Sequence, residues 1–204
     1  MRSPLGVYTA LLFGFIVVVA LAFAAFNQQI HPNLAAGVLW VAISFAAVIS
    51  VPNLVAREEE TRTADLLRLS VSPFCVYWAK TLYAAISLLL LSLVIAFVFL
   101  LLTTQQVHHL GLLLVSLVGG VLALSGIIVL CGLLASQSAN QGALSGVVGL
   151  PLLFPVIAMG IASMGPALTS APALQGWVWA GALCSYAALM LASGPYVFAA
   201  VWKT

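Results

Sequence analysis

Charge is what this chain lacks. Of 204 residues, six are Lys or Arg and four are Asp or Glu, or 5% in all, where a soluble domain carries about 25%. So few charges could not cover the surface of a soluble fold. With 64% of residues apolar, the chain reads as an integral membrane protein. A net charge of +2 offers no footprint for nucleic acid. Cys75, Cys131 and Cys184 stand in apolar runs without short ligand spacing, so neither a disulfide frame nor a metal site is readable. There is no Gly-Lys-Ser/Thr and no glycine-rich phosphate loop. If ATP drives this protein, the ATPase is another subunit.

What is present is length of apolar run. Clusters of Pro, Asn, Gln and charge leave six stretches: Leu5–Phe26, Leu34–Ala56, Phe74–Leu102, Leu110–Ala135, Gly142–Met164 and Leu174–Trp202. Each exceeds the ~20 residues that cross ~30 Å of hydrocarbon at ~1.5 Å per residue. None alternates with period two as a barrel strand would. The expected fold is all-α: a polytopic membrane protein of six transmembrane helices, one domain over residues 1–204. Met1-Arg2 before an apolar run resembles a signal peptide. However, the run is too long for an h-region and NQQIHPN after it offers no small-x-small cleavage site, so it is expected to remain a helix.

The cations orient the spans. Arg2, Arg57, Arg62, Arg68, Lys80 and Lys203 fall on one side of a six-span arrangement, and the opposite loops Asn27–Asn33, Thr103–His109 and Gly165–Ala173 hold none. By the positive-inside rule both termini are cytoplasmic. Tyr77 and Trp78 at the inner boundary, and Trp177 and Trp179 at the outer one, are expected to form aromatic belts.

Inside the spans the ionisable groups of a proton relay, ion site or protease are missing, apart from Lys80, which can snorkel from near the inner end of the third span. Ser125 beside Gly126 has no base in any span to activate it, so it reads as a small residue at a helix contact. Gly119 with Ala123, and Ser138, Gly142 and Gly146, have small-xxx-small spacing and read the same way. Pro151 and Pro155 inside the fifth span, and Pro195 after Gly194 in the sixth, each remove a backbone donor, so kinks are expected there. Such kinks suit a moving part of the bundle or a static bend that fills space.

Eight of the ten charged residues lie between Arg57 and Lys80, every acid among them. Glu58, Arg62, Asp65 and Ser72 fall at i, i+4, i+7 and i+14, Arg68 completes the stripe, and Ala64, Leu66, Leu67, Leu69 and Val71 cover the rest. This spacing predicts a short amphipathic helix on the cytoplasmic face between spans two and three, ended by Pro73. It is either a solvated connection or a seat for a cytoplasmic partner, with Glu58, Glu59, Glu60, Arg62, Asp65 and Arg68 as the docking residues.

These features, together with four local motifs, resemble the permeases of ABC-2-type exporters and, more narrowly, the CcmB family of haem exporter permeases in cytochrome c maturation. GVLWVA (Gly37–Ala42) is similar to that family's Gly-x-x-Trp-x-Ala, and the acidic segment ends in Ser72-Pro73 and Ala79-Lys80 as the family's loop does. QGAL (Gln141–Leu144) opens the fifth span, and LPLLFP (Leu150–Pro155) is similar to Leu-Pro-Leu-x-x-Pro. The similarity runs from about Leu34 to Met164. The family's Asp-Gly-Ser/Thr-Leu-Glu run is echoed only by Thr63 and Asp65, and Ser138 and Asn140 stand where many members have a basic residue.

The resemblance implies a permease of the bacterial inner membrane that pairs with a second copy and with a cytoplasmic CcmA-like ATPase, and that contacts a CcmC-like haem-handling subunit. It holds no cofactor firmly, haem is the transported or delivered ligand, and ATP acts only through the partner. Other readings of the same residues are an ABC-2 exporter subunit for a lipid or drug, and a structural membrane subunit without a transport cycle. His31, His108 and His109 all fall in outer loops, where an imidazole could ligate haem iron. Adjacent His108 and His109 do not both reach one iron easily, so solvated loop positions are expected.

Overall fold

The computed structural model describes residues 5–24, 30–50, 72–136, 141–170 and 172–202, which form six helices and no strand. They are α1 (Leu5–Ala24), α2 (Pro32–Ser50), α3 (Pro73–Thr103), α4 (Leu110–Ser136), α5 (Gln141–Ala167) and α6 (Leu174–Trp202). The expected amphipathic segment over Arg57–Arg68, every cation except Lys80, and Ser138 lie outside the described residues.

Local chemistry accounts for the helix ends. Ser72 is extended (φ −67°, ψ 143°), as a residue before proline must be, and Pro73 takes the first helical position, where its missing N–H costs nothing. The His31 carbonyl accepts the N–H groups of Leu34 and Ala35 at 2.9 and 3.0 Å, closing the first turn of α2 behind Pro32. At the far end of α3 the Thr103 hydroxyl donates to the Phe99 carbonyl at 2.6 Å, and Thr104 turns the chain with a left-handed φ of 51°.

Length and apolarity together suit a bilayer. α2, α3, α4 and α6 contain apolar windows of 18, 31, 24 and 27 residues, long enough to cross it. The described apolar stretches of α1 and α5 are shorter, Tyr8–Phe23 and Pro151–Ala167. α4 is the central helix: 78% of its window is buried, against 33% for α3 and for α6. It packs on α2, α3, α5 and α6, while α1 lies against α2 and α3. The residues facing outward are themselves large and apolar, among them Phe15, Phe97, Leu101 and Phe154. Lipid can solvate such a surface and water cannot.

Glycine sets how closely the helices approach. Trp40 of α2 is fully buried, its indole wedged between Gly120 of α4 and Gly160 of α5. A Cβ on Gly160 would stand 2.5 Å from the indole Cε2, and one on Gly120 would overlap the ring. On α4, a Cβ at Gly119 would come within 2.9 Å of Cys184 Sγ on α6. Ser125 is buried and donates to the Leu122 carbonyl of its own helix at 2.8 Å, in keeping with a packing role. Small residues at contacts are how helices associate in lipid, where the hydrophobic effect no longer drives them together.

The Trp40 slot gives a direct test. Gly120→Ala or Gly160→Ala should each destabilise the detergent-solubilised protein by about 1–3 kcal/mol, as overpacking does. Trp40→Leu should restore much of the thermal midpoint lost in Gly120→Ala; absence of that rescue in the double variant would show that the indole is not what the methyl strikes.

Candidate functional site

Three places carry polar groups that packing alone does not require. The first is the end of the bundle where α3 begins and α6 stops. Phe74 meets Tyr196 edge-on at 5.6 Å, and Tyr77 meets Phe198 at 5.8 Å. Trp78 is 44% exposed, as a belt residue should be. Tyr77 is fully buried, which corrects its expected place in that belt: its ring turns inward onto Gly194 of α6 and Gly126 of α4. One residue is a rotation of ~100°, so neighbours at the same depth face different surroundings. Lys80, three residues on, is 8% exposed and has an interaction partner.

The second place is the proline-bearing stretch of α5. Pro151, Pro155 and Pro166 lie inside α5 and Pro195 inside α6, with helix continuing on both sides of each. Pro155 has no N–H to give to the carbonyl four residues back, so the turn behind it is short of donors. The Tyr186 hydroxyl of α6 donates to the Leu152 carbonyl in that turn at 3.1 Å. A neighbouring helix thus adds a donor within the proline-bearing turn, one residue from the Pro151 carbonyl that Pro155 leaves without its helical partner. The sequence reading missed Tyr186. A lone tyrosine in a span was its only signal.

The third is the opposite end, where loops meet. The N–H groups of His108 and His109 both donate to the Ala167 carbonyl at 3.1 Å, satisfying the last residue of α5. Gln105 Nε2 donates to the Ile30 carbonyl at 3.2 Å, and the Asn33 side chain packs on Gly165. The result is a collar that ties the 30–33, 104–109 and 165–169 stretches together. His31 Nδ1 accepts the Asn33 N–H at 3.4 Å. His108 and His109 thus join the collar through their backbone N–H groups, and His31 caps locally through Nδ1. Among the described residues no three His, Cys, Asp or Glu side chains come together as a metal site.

The docking candidates Glu58, Glu59, Glu60, Arg62, Asp65 and Arg68 lie outside the described residues, in the stretch between the end of α2 at Ser50 and the start of α3 at Pro73. Ser72, just before α3, is exposed.

Comparison with known families bears on what such a bundle is. The model of the family described as CcmB protein matches residues 1–204. The chain belongs to the CcmB family. It is thus a multi-pass membrane subunit of the haem-export ABC system of cytochrome c maturation, in a family of transporter subunits and not of catalytic enzymes. Membership extends the similarity read from Leu34–Met164 to the whole chain. No curated protein matches it. In this CcmB-family chain the Trp of GVLWVA is the wedge Trp40, and the second proline of LPLLFP is Pro155, behind which Tyr186 donates.

Two outcomes are expected. Tyr186→Phe should destabilise the protein by about 0.6 kcal/mol, and by no more than about 2, as single interhelical hydrogen bonds in membranes do. Replacing His31, His108 and His109 together with Ala should leave cytochrome c assembly largely intact, because the two bonds to the Ala167 carbonyl come from backbone N–H groups that alanine keeps. A collapse of assembly at normal protein level would assign the imidazoles a role in the chemistry.

Proposed function

We propose that this chain is the permease half of an ATP-driven transporter with six membrane spans in the bacterial inner membrane and both termini in the cytoplasm. The observation that carries the reading is the family match over the entire chain. Two copies pair with cytoplasmic ATPase subunits of the CcmA kind and contact a CcmC-like subunit. ATP hydrolysis then drives haem delivery, or release of a haem-loaded chaperone, on the outer side. Haem is the substrate of the assembly, and ATP is handled only by the partner. The cations, all on one side of a six-span arrangement of the sequence, support the orientation. In this reading the collar faces outward, and Pro151, Pro155 and Pro195 are the bends that let α5 and α6 move.

The ATPase seats on Glu58, Glu59, Glu60, Arg62, Asp65 and Arg68. A cytoplasmic contact rich in both signs of charge suits an ion-paired interface, in which removing one partner of a desolvated pair costs about 2–5 kcal/mol and removing a rim charge costs little. Alanine at Glu58, Glu59, Glu60 and Asp65 together should release the ATPase and stop cytochrome c maturation. The bundle should still insert, because the orienting cations are untouched. Co-purification in mild detergent reads the first effect. Alkaline phosphatase fused after Thr204 should be inactive and after Gln106 active, and the reverse pattern would sink the topology. A quadruple variant that keeps both ATPase and assembly would reduce the segment to a solvated connection.

A further inference from the structure

The aromatic rings on the outside of the bundle differ with their place along it. Exposed Trp and Tyr stand near helix ends: Tyr8 of α1, Trp78 of α3, and Trp177, Trp179 and Tyr196 of α6, with Tyr83 somewhat further along α3. The rings exposed halfway along a helix are phenyl groups, Phe15 of α1 and Phe154 of α5. An indole or phenol joins an apolar body to one polar hydrogen, so it settles where hydrocarbon meets headgroup. A phenyl ring has no reason to stop there.

α6 records both levels on a single helix. Its exposed face opens with Gln175, Trp177 and Trp179 and has Tyr196 near the other end. The exposed hydroxyls between these rings are turned back onto the helix. Ser185 donates to the Gly181 carbonyl at 2.9 Å, and Ser193 donates to the Leu189 carbonyl at 2.8 Å. Neither hydroxyl proton is offered to the lipid, where it would find no acceptor. From Trp177 to Tyr196 the chain advances 19 residues, about 28 Å at ~1.5 Å per residue. The stretch between the rings is therefore apolar in effect as well as in composition.

We infer that the lipid partner of this bundle is a bilayer whose hydrocarbon is about 28 Å thick, with Trp177, Trp179 and Tyr196 holding α6 at its two faces. That is slightly thinner than the average of about 30 Å. A thicker layer carries acyl chains over Gln175 and the collar, and a thinner one leaves the ends of the apolar surface among headgroups. α3, at 31 residues, is longer than such a layer, and helices of excess length accommodate by tilting. The fit belongs to the outer surface and does not depend on what the assembly transports.

The test places the full chain in phosphatidylcholine vesicles whose acyl chains give hydrocarbon layers of about 23, 28 and 34 Å. With Cys75→Ala and Cys184→Ala, thiol labelling of the buried Cys131 on heating reads the thermal midpoint. The midpoint should be highest in the middle layer and about 3–6 °C lower in each of the others. Trp177→Leu with Trp179→Leu lengthens the apolar face of α6 toward Gln175, so it should halve the loss in the thickest layer and leave the loss in the thinnest unchanged. Phe154→Leu, which removes an exposed ring halfway along α5, should leave the whole profile in place. A midpoint that is equal in all three layers, or that keeps rising into the thickest, overturns the inference. A double variant with the wild-type profile overturns the anchoring role of the tryptophans, as does a Phe154→Leu variant that changes the profile equally. Should the double variant fail to insert, the wild-type series alone decides the thickness.

Discussion

A backbone N–H or C=O in the middle of a bilayer has no water to turn to, and most of this architecture follows from that constraint. It is why the described chain is helical and why its loops gather at helix ends. It also governs the exceptions. A proline inside α5 is tolerated where the Tyr186 hydroxyl reaches the Leu152 carbonyl, and the final carbonyl of α5 is taken by two amides of another loop. At these two places a named donor from elsewhere in the fold adds to the regular ladder.

The second determinant is closeness. In lipid, helices gain little by burying apolar surface, so contact has to come from shape. Two aromatic side chains supply it in opposite halves of the bundle. Trp40 fills a slot floored by Gly120 and Gly160, and Tyr77 fills one floored by Gly194 and Gly126. The buried indole N–H of Trp40 has no hydrogen-bond partner among the described residues. Such an atom costs about 1–3 kcal/mol, which the gain in contact must exceed there.

Position along the helices was legible in the sequence, and rotation about their axes was not. The helices α3, α4 and α6 begin within one residue of the apolar runs, because Pro73, Leu110 and Leu174 mark chemical changes. Pro73 opens α3, and the helix it was expected to end lies outside the described residues. The miss at Tyr77 has a general cause: α3 is apolar on every side, so no polar stripe records which face turns inward. Its boundary position was readable and its burial was not. The same lack of contrast hid the partner of Trp40, since Gly160 lies 120 residues away with nothing in either motif to pair them. Membership of the CcmB family came through because its short motifs survive where the loop signature has drifted. The roles of Glu58 to Arg68 rest on charge pattern alone and lie outside the described residues.

The collar has one further consequence. His31, Asn33, Gln105, Gln106 and His108 furnish this end with polar atoms, and the loops there contain no Lys, Arg, Asp or Glu. Salt screens interactions between full charges and hardly touches those between neutral dipoles. Whatever binds at the collar near neutral pH therefore holds with an affinity almost independent of ionic strength, while contacts made by the Arg57–Arg68 segment weaken as salt rises. The two ends of the same bundle answer differently to the composition of the water around them.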